Sequence, residues 1–170
     1  DIAGFRIFDR VTDVYENGLI KTIYANTKPK YLLNTWIYHL IINALLEHKH
    51  SVQSFLLCKD AAWEFMPVSN ALDIIEYLLN IYWKGMSEPL HFFPVSSFEY
   101  VCKILLKNQT QSFALKTAQR KWNGSDFSRG ESKDPFERCF GKNDPLDKDF
   151  EKISMKIYSA LLNHCKEIML

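Results

Sequence analysis

The stretch NGLIKTIYANTKPKYLLNTWIYHL, from Asn17 to Leu40, decides the fold of this chain. Asn-Gly is a strong signal for a tight turn, because glycine accepts the positive φ that such turns demand. The residues from Leu19 to Asn26 predict a β-strand that returns from this turn. The Lys-Pro-Lys segment at 28–30 ends the strand, and a strongly apolar helix is predicted over about residues 31–48.

Before the turn, the segment from Ile2 to Val14 alternates for part of its length, which predicts the partner strand of a hairpin. In the apolar helix, the polar positions recur every four residues and form a narrow stripe: Thr35, His39, Asn43 and Glu47. Such a helix is expected to lie between a sheet and a second layer. A second hairpin is predicted from residues 54–58 and 62–66 around Lys59 and Asp60.

The second half of the chain is mainly helical in pattern. Helices are expected over about 71–84, from a Ser96/Glu99 capping box to about 107, over 110–122, and after Pro145. The predicted fold class is therefore α/β, with a small mixed sheet flanked by helices and a helical C-terminal half. We expect one domain over residues 1–170, in which 1–66 form the sheet with its core helix and 67–170 a helical extension. Because the chain starts with Asp1, we interpret it as a fragment of a longer protein.

The composition excludes several classes of protein. Apolar residues make up 47% of the 170 residues, so a packed globular core is expected. The net charge of +1 argues against an autonomous electrostatic DNA binder. The four cysteines are too dispersed in sequence for a zinc site, and we expect no metal site. The apolar helix carries too many polar residues to span a membrane.

Three segments carry a resemblance to a known family. These are YWKGMSEPLHFFPVSSFEY at 82–100, KTAQRKWNG at 116–124 and RGESKDPFERCFG at 129–141. They resemble the C-terminal part of RecC, the gamma chain of exodeoxyribonuclease V. The order of strand, turn, strand, apolar helix and strand is itself similar to the core of the PD-(D/E)XK nuclease superfamily.

The resemblance implies a non-catalytic scaffold domain that guides DNA within an ATP-dependent helicase–exonuclease of double-strand-break repair and recombination. The implied partners are RecB- and RecD-type subunits and, weakly, a DNA end or fork, in the bacterial cytoplasm. No cofactor is implied for this domain, because partner subunits use the Mg²⁺ and ATP. Two alternatives stay open: a metal-dependent nuclease that uses Asp9, and a protein-interaction module without a role at DNA.

An active relative would hold Mg²⁺ with an Asp on one hairpin strand and an Asp/Glu-x-Lys on the next. Placed on this chain, the resemblance aligns the first acid with Asp9, the second acid with Tyr24 and the lysine with Asn26. A phenol and an amide supply neither an anionic ligand nor a cation at neutral pH. We therefore expect a silent site, in which Asp9 is either a relict ligand or a carboxylate that faces water or pairs with a base such as Arg10.

Five basic residues are candidates for contacts with phosphate, with ordinary solvated charge as the alternative: Lys28, Lys30, Arg120, Lys121 and Arg129. Trp122 is either a core anchor or a platform for a base, and His39 is expected to be a hydrogen-bonded structural histidine. The segment of strongest resemblance is expected to have an architectural or docking role: Gly85, Met86, Pro89, Phe93 and Pro94. The aromatic residues around it belong either to the core or to a docking face.

Overall fold

The computed structural model describes residues 2, 4–15, 18–46, 52–133, 139–140 and 144–168. The strands are β1 (Val14–Tyr15), β2 (Gly18–Thr22), β3 (Gln53–Leu57), β4 (Ala62–Phe65), β5 (Gly124–Ser125), β6 (Ser128–Arg129) and β7 (Cys165–Ile168). The helices among these residues are α1 (Pro29–Leu46), α2 (Ala71–Gly85), α3 (Pro94–Leu105), α4 (Gln111–Asn123) and α5 (Lys148–Asn163), with a 3₁₀ turn at Glu131–Lys133. The chain divides into two compact units, one of residues 1–84 with 163–170 and one of residues 85–162.

The first unit contains a five-stranded mixed sheet with the order β1-β2-β3-β4-β7. β2 and β3 are parallel, and α1 connects them, since parallel neighbours need a crossover connection. The other neighbours pair antiparallel. The prediction of an α/β fold with a small mixed sheet is thereby confirmed, as is the second hairpin, β3–β4.

The first hairpin is shorter than predicted. Val14 pairs with Leu19 and Tyr15 with Gly18, but the described residues from Gly4 to Asp13 do not form a strand. Positive φ angles at Gly4 (80°) and Asp13 (64°) interrupt the extended backbone that the alternation suggested. β2 also ends early, at Thr22, because the chain turns where the Ala25 N–H bonds the Ile23 carbonyl at 2.7 Å.

Gly18 is required where β2 approaches β3. Its φ is +141°, and a Cβ at this position would lie 1.7 Å from the carbonyl oxygen of Gln53. Only glycine allows both this backbone conformation and this close contact. The Asn-Gly signal therefore marks a position that the parallel pair needs.

The polar stripe of α1 faces inward. Thr35 and His39 are fully buried and Asn43 is 6% exposed, whereas Leu45 on the same helix is 76% exposed. His39 bonds the Ser54 hydroxyl of β3 at 2.7 Å, which joins the helix to the sheet. Thr35, His39 and Asn43 thus lie on the sheet-facing side of the helix together with the buried Leu32, Trp36 and Leu40, and Glu47 lies outside the described residues.

The second unit is built from α3, α4 and α5 around an aromatic core. Its buried rings include Phe93, Tyr100, Trp122, Phe150 and Tyr158. Thr110 is the N-cap of α4, one residue before the helix, and Asp147 accepts from the backbone N–H groups of Asp149 and Phe150 in the first turn of α5. The capping box predicted from Ser96 is wrong, because α3 begins earlier, with Phe93 as its N-cap and Pro94 in its first turn.

Two features of the first unit extend beyond the sequence prediction. α2 belongs almost wholly to this unit, although the sequence placed the change from sheet to helical extension near residue 66. After α5 the chain returns as β7, which pairs with β4 over Ala62–Phe65. The final strand was not predicted, because a run of four residues next to a long amphipathic helix gives little periodic signal.

Candidate functional site

The carboxylate of Asp9 is engaged by two donors. The hydroxyl of Tyr38 donates to its Oδ2 at 2.9 Å, and the backbone N–H of Arg10 donates to its Oδ1 at 2.7 Å. These hydrogen bonds, assisted by the positive charge of Lys21, hold the pKa of Asp9 below its usual value. The same bond raises the pKa of Tyr38, so the phenol keeps its proton as the donor.

Tyr38 also binds a cation on its ring face. The ammonium of Lys21, in β2, lies 3.8 Å from the centre of the Tyr38 ring, and it donates to the Asn34 side chain at 3.3 Å. Asn34 and Tyr38 are four residues apart on α1 and therefore share a face. The hairpin, the helix and the segment of Asp9 thus meet in one cluster of an acid, a phenol, an amine and an amide.

Tyr24 and Asn26 lie outside the strand that was expected to carry them. Both are exposed residues beyond the end of β2, and Tyr24 is 93% exposed. Among the described residues, Tyr38 and Lys21 are the side chains that act on Asp9. The sequence identified Asp9 but neither of its partners, because Tyr38 lies among apolar residues of a predicted helix and gave no signal of this role.

The donor set around Asp9 does not fit a divalent cation. Mg²⁺ and Ca²⁺ take oxygen ligands, chiefly carboxylates, carbonyls and water. Here the two groups that contact the Asp9 oxygens are hydrogen-bond donors, and the charge that acts on the carboxylate is the Lys21 cation. Within the described part of the chain, three or more histidine, cysteine or acidic side chains do not come together as a possible metal site.

The five candidate phosphate contacts are all exposed. In the first unit, Lys28 and Lys30 lie where the chain enters α1. In the second unit, Arg120 and Lys121 occupy the last turn of α4, where a cation interacts favourably with the helix dipole. Arg129 lies on β6 and donates to the carbonyl of Lys133 at 3.1 Å. Trp122 is 4% exposed and its ring centre lies 4.4 Å from that of Phe93, so it is a core anchor.

Several residues of the segment from Gly85 to Pro94 are packed within the second unit. A Cβ on Gly85 would lie 2.9 Å from a methyl group of Leu90, so the glycine leaves room for the chain to fold back. Phe93 is fully buried, and the Tyr158 hydroxyl donates to the Pro94 carbonyl at 2.9 Å. Met86 remains 66% exposed.

Glu131 holds the N-terminus of α3 from outside the helix. Its carboxylate accepts from the backbone N–H of Val95 at 2.9 Å and from the N–H and hydroxyl of Ser96 at 2.8 Å each. An acid at this position satisfies amides that have no partner within the helix. Glu131 lies in one resemblance segment and Ser96 in another, so these two segments are joined directly. Sequence reasoning missed this pair because the residues are 35 positions apart.

His39 is confirmed as a structural histidine. Its ring bonds the Ser54 hydroxyl at 2.7 Å and the Met66 carbonyl at 2.9 Å, and burial lowers its pKa to about 4. Asn43 continues the network, because its side-chain oxygen accepts from the Val68 N–H at 3.2 Å. A buried imidazole with this pKa is neutral at physiological pH, so it fixes α1 on the sheet and offers no charge to a ligand.

Comparison with known families identifies the chain. The family model of the RecC C-terminal domain matches residues 1–105, which is more than half of the 170 residues. The chain belongs to the RecC C-terminal domain family. The match includes the RecC-like segment from Gly85 to Pro94 as well as Asp9, Tyr24 and Asn26, and it ends with α3. The other two segments of the resemblance, at 116–124 and 129–141, lie beyond it.

Membership of the RecC family implies a part in the multi-subunit RecBCD complex and in DNA repair. A search of curated proteins found no match. Within the described residues, no helix is both long and apolar enough to cross a membrane.

Proposed function

We propose that this RecC C-terminal domain is a non-catalytic docking and DNA-guiding domain of an ATP-dependent helicase–exonuclease in the bacterial cytoplasm. In this proposal the fold is a PD-(D/E)XK core whose active site is silent. RecB- and RecD-type subunits are its partners, and they use the Mg²⁺ and ATP of the reaction. The mixed sheet with a buried crossover helix is compatible with such a core.

The observation that carries the proposal is the state of Asp9. Both oxygens of this carboxylate accept from protein donors, and a lysine ammonium binds the ring of the tyrosine that holds it. A nuclease would need the opposite arrangement, in which several acids converge and their oxygens are free for a cation. A hydrogen-bonded carboxylate beside a cation stabilises the fold around the first hairpin instead.

A role in guiding DNA rests on exposed basic residues within each unit. Lys28 and Lys30 flank the start of α1, and Arg120 and Lys121 end α4. Contacts of this kind bind the phosphate backbone irrespective of sequence and weaken as salt rises. With a net charge of +1, the domain would depend on the rest of the complex for its affinity for DNA.

The test uses a complex reconstituted with RecB- and RecD-type subunits, in which this protein carries the substitution Asp9→Ala. At subunit concentrations high enough to saturate assembly, we expect metal-dependent degradation and unwinding of a duplex end at the wild-type rate, because Asp9 holds no metal. Loss of degradation with intact assembly would favour the alternative, a nuclease that uses Asp9. The double variant Lys28→Glu with Lys30→Glu should reduce DNA affinity severalfold at low salt, with Lys107→Glu, at an exposed residue of the second unit, as the control. No effect on DNA affinity or unwinding would favour an interaction module without a DNA role.

A further inference from the structure

The first unit has an apolar groove to which the hydrogen bonds of Asp9 give no role, although Asp9 is part of its lining. Its volume is about 330 Å³, and it lies where the N-terminal segment meets α1 and α2. Three groups of side chains form it, listed by segment: Ile2, Ile7, Asp9 and Val11; Ile41, Ala44 and Leu45; Leu72 and Ile75. The described lining thus contains eight apolar residues and one charged residue, Asp9.

Several apolar side chains that line the groove are exposed to solvent. Leu45 is 76% exposed, Leu72 44% and Ile7 41%. α1 places its polar stripe against the sheet, so its apolar residues Ile41, Ala44 and Leu45 face away from it. Contiguous exposed apolar surface of this kind is typical of protein interaction sites. A small ligand would be enclosed by its pocket and would leave these rims in water, whereas a protein segment covers them.

The charge of the lining indicates the chemistry of the occupant. The carboxylate of Asp9 accepts two hydrogen bonds, and a carboxylate has about four acceptor positions. The ammonium of Lys21 contacts the ring of Tyr38 and the side-chain oxygen of Asn34. The described groove therefore presents one negative charge surrounded by apolar side chains.

We propose that this groove receives an amphipathic helix of a partner subunit, with one lysine or arginine that pairs with Asp9. The lining residues on α1 and α2 follow helical spacing, so a third helix would pack its ridges between them. The inference rests on the proposed docking function and specifies its surface. It gives Asp9 a role that needs no metal.

Leu45→Asp and Leu72→Asp test the surface with little cost to folding. Leu45 is mostly exposed, and Leu72 is in the first turn of α2, where an acid is favourable. We expect each change to weaken assembly with the RecB- and RecD-type subunits at least about tenfold, measured as the dissociation constant by analytical ultracentrifugation. Leu106→Asp, at a side chain of 52% exposure in the second unit, is the matched control and should assemble normally. Normal assembly of both groove variants would overturn the inference.

Variants of Asp9 test the charge. Asp9→Lys should weaken assembly more than Asp9→Asn, because it places a cation against the cation of the partner. Tyr38→Phe removes the internal hydrogen bond and keeps the charge, so it should assemble like wild type. Equal effects of Asp9→Asn and Tyr38→Phe would mean that Asp9 acts only on the fold, which contradicts the inference.

Two further outcomes separate the possibilities. If wild-type protein fails to assemble with either subunit, the proposed function itself fails. If wild-type protein assembles and also forms a dimer that Leu45→Asp converts to a monomer, the groove binds a second copy of this chain, and the proposed occupant is wrong.

Discussion

The phenol of Tyr38 donates a hydrogen bond of 2.9 Å to Oδ2 of Asp9, the acid that the proposed nuclease-like core aligns with a metal ligand. The ring of the same tyrosine carries the ammonium of Lys21 on its face, 3.8 Å from the ring centre. One aromatic residue therefore satisfies an anion with its hydroxyl and a cation with its π-system. The carboxylate of Asp9 thus has hydrogen-bond partners within the protein.

Removing the Tyr38 hydroxyl should shift the titration of Asp9. In Tyr38→Phe the carboxylate loses the hydrogen bond that lowers its pKa most, so the pKa of Asp9 should rise toward its usual value. The measurement is a pH titration of the side-chain carboxyl carbons by NMR. Asp60 is the internal control, because Thr27 lowers its pKa at a separate position. An Asp9 pKa that stays low in this variant would contradict the geometry.

Gly18→Ala should strongly destabilise the first unit. The added Cβ would lie 1.7 Å from the Gln53 carbonyl oxygen, and φ is +141°, so a loss of about 2–4 kcal/mol is expected. Gly4→Ala is the matched control, since Gly4 also has a positive φ, of +80°, but open space around its Cβ position. It should cost about 1–2 kcal/mol. Urea unfolding measures both, and equal losses would show that the contact with β3 is not needed.

Glu131→Ala should loosen the start of α3. The change removes a charged acceptor from two backbone N–H groups and the Ser96 hydroxyl, which should cost about 1–2 kcal/mol. Glu131→Gln keeps the shape of the side chain and one acceptor oxygen, so it should reduce the free energy of unfolding less than Glu131→Ala does. Hydrogen exchange of the Val95 and Ser96 amides reports the effect directly. Unchanged protection of these amides in Glu131→Ala would mean that the carboxylate is not their partner.

Because of His39, the free energy of unfolding should decrease as the pH is lowered. Burial lowers its pKa in the folded chain from 6.5 to about 4, so the unfolded chain binds more protons between these two values. The stabilising contribution is complete above pH 6.5 and is lost progressively as pH falls toward 4, by about 2–4 kcal/mol in total. His39→Gln should flatten this part of the pH profile of the unfolding free energy. An equally steep profile in that variant would assign the loss to other groups.

Much of the architecture was predictable because local signals agreed. The antiparallel pairing of Tyr15 with Gly18, the apolar run of α1 and the hairpin around Lys59 and Asp60 each appear where the sequence placed them. Which side of α1 faces the sheet was not predictable. A polar stripe of Thr35, His39 and Asn43 usually faces solvent, and here Ser54 and the Met66 carbonyl satisfy His39 in the interior.

The candidate site was predictable only in part. Asp9 stood out as an acid among apolar residues, but its alternation pattern predicted a strand that the positive φ of Asp13 interrupts. Tyr38 is 29 positions from Asp9, and Glu131 is 36 from Val95. Contacts at this separation depend on tertiary packing, for which a single sequence carries no local signal.

Our central proposal is that this domain has a nuclease-like core with a silent site. Titration of Mn²⁺ into the wild-type chain, followed by calorimetry, tests it most directly. The account predicts no saturable binding and the same small dilution heat for wild type and Asp9→Ala. Stoichiometric binding that Asp9→Ala abolishes would contradict this expectation, because a cation would then displace the Tyr38 hydroxyl from the Asp9 carboxylate.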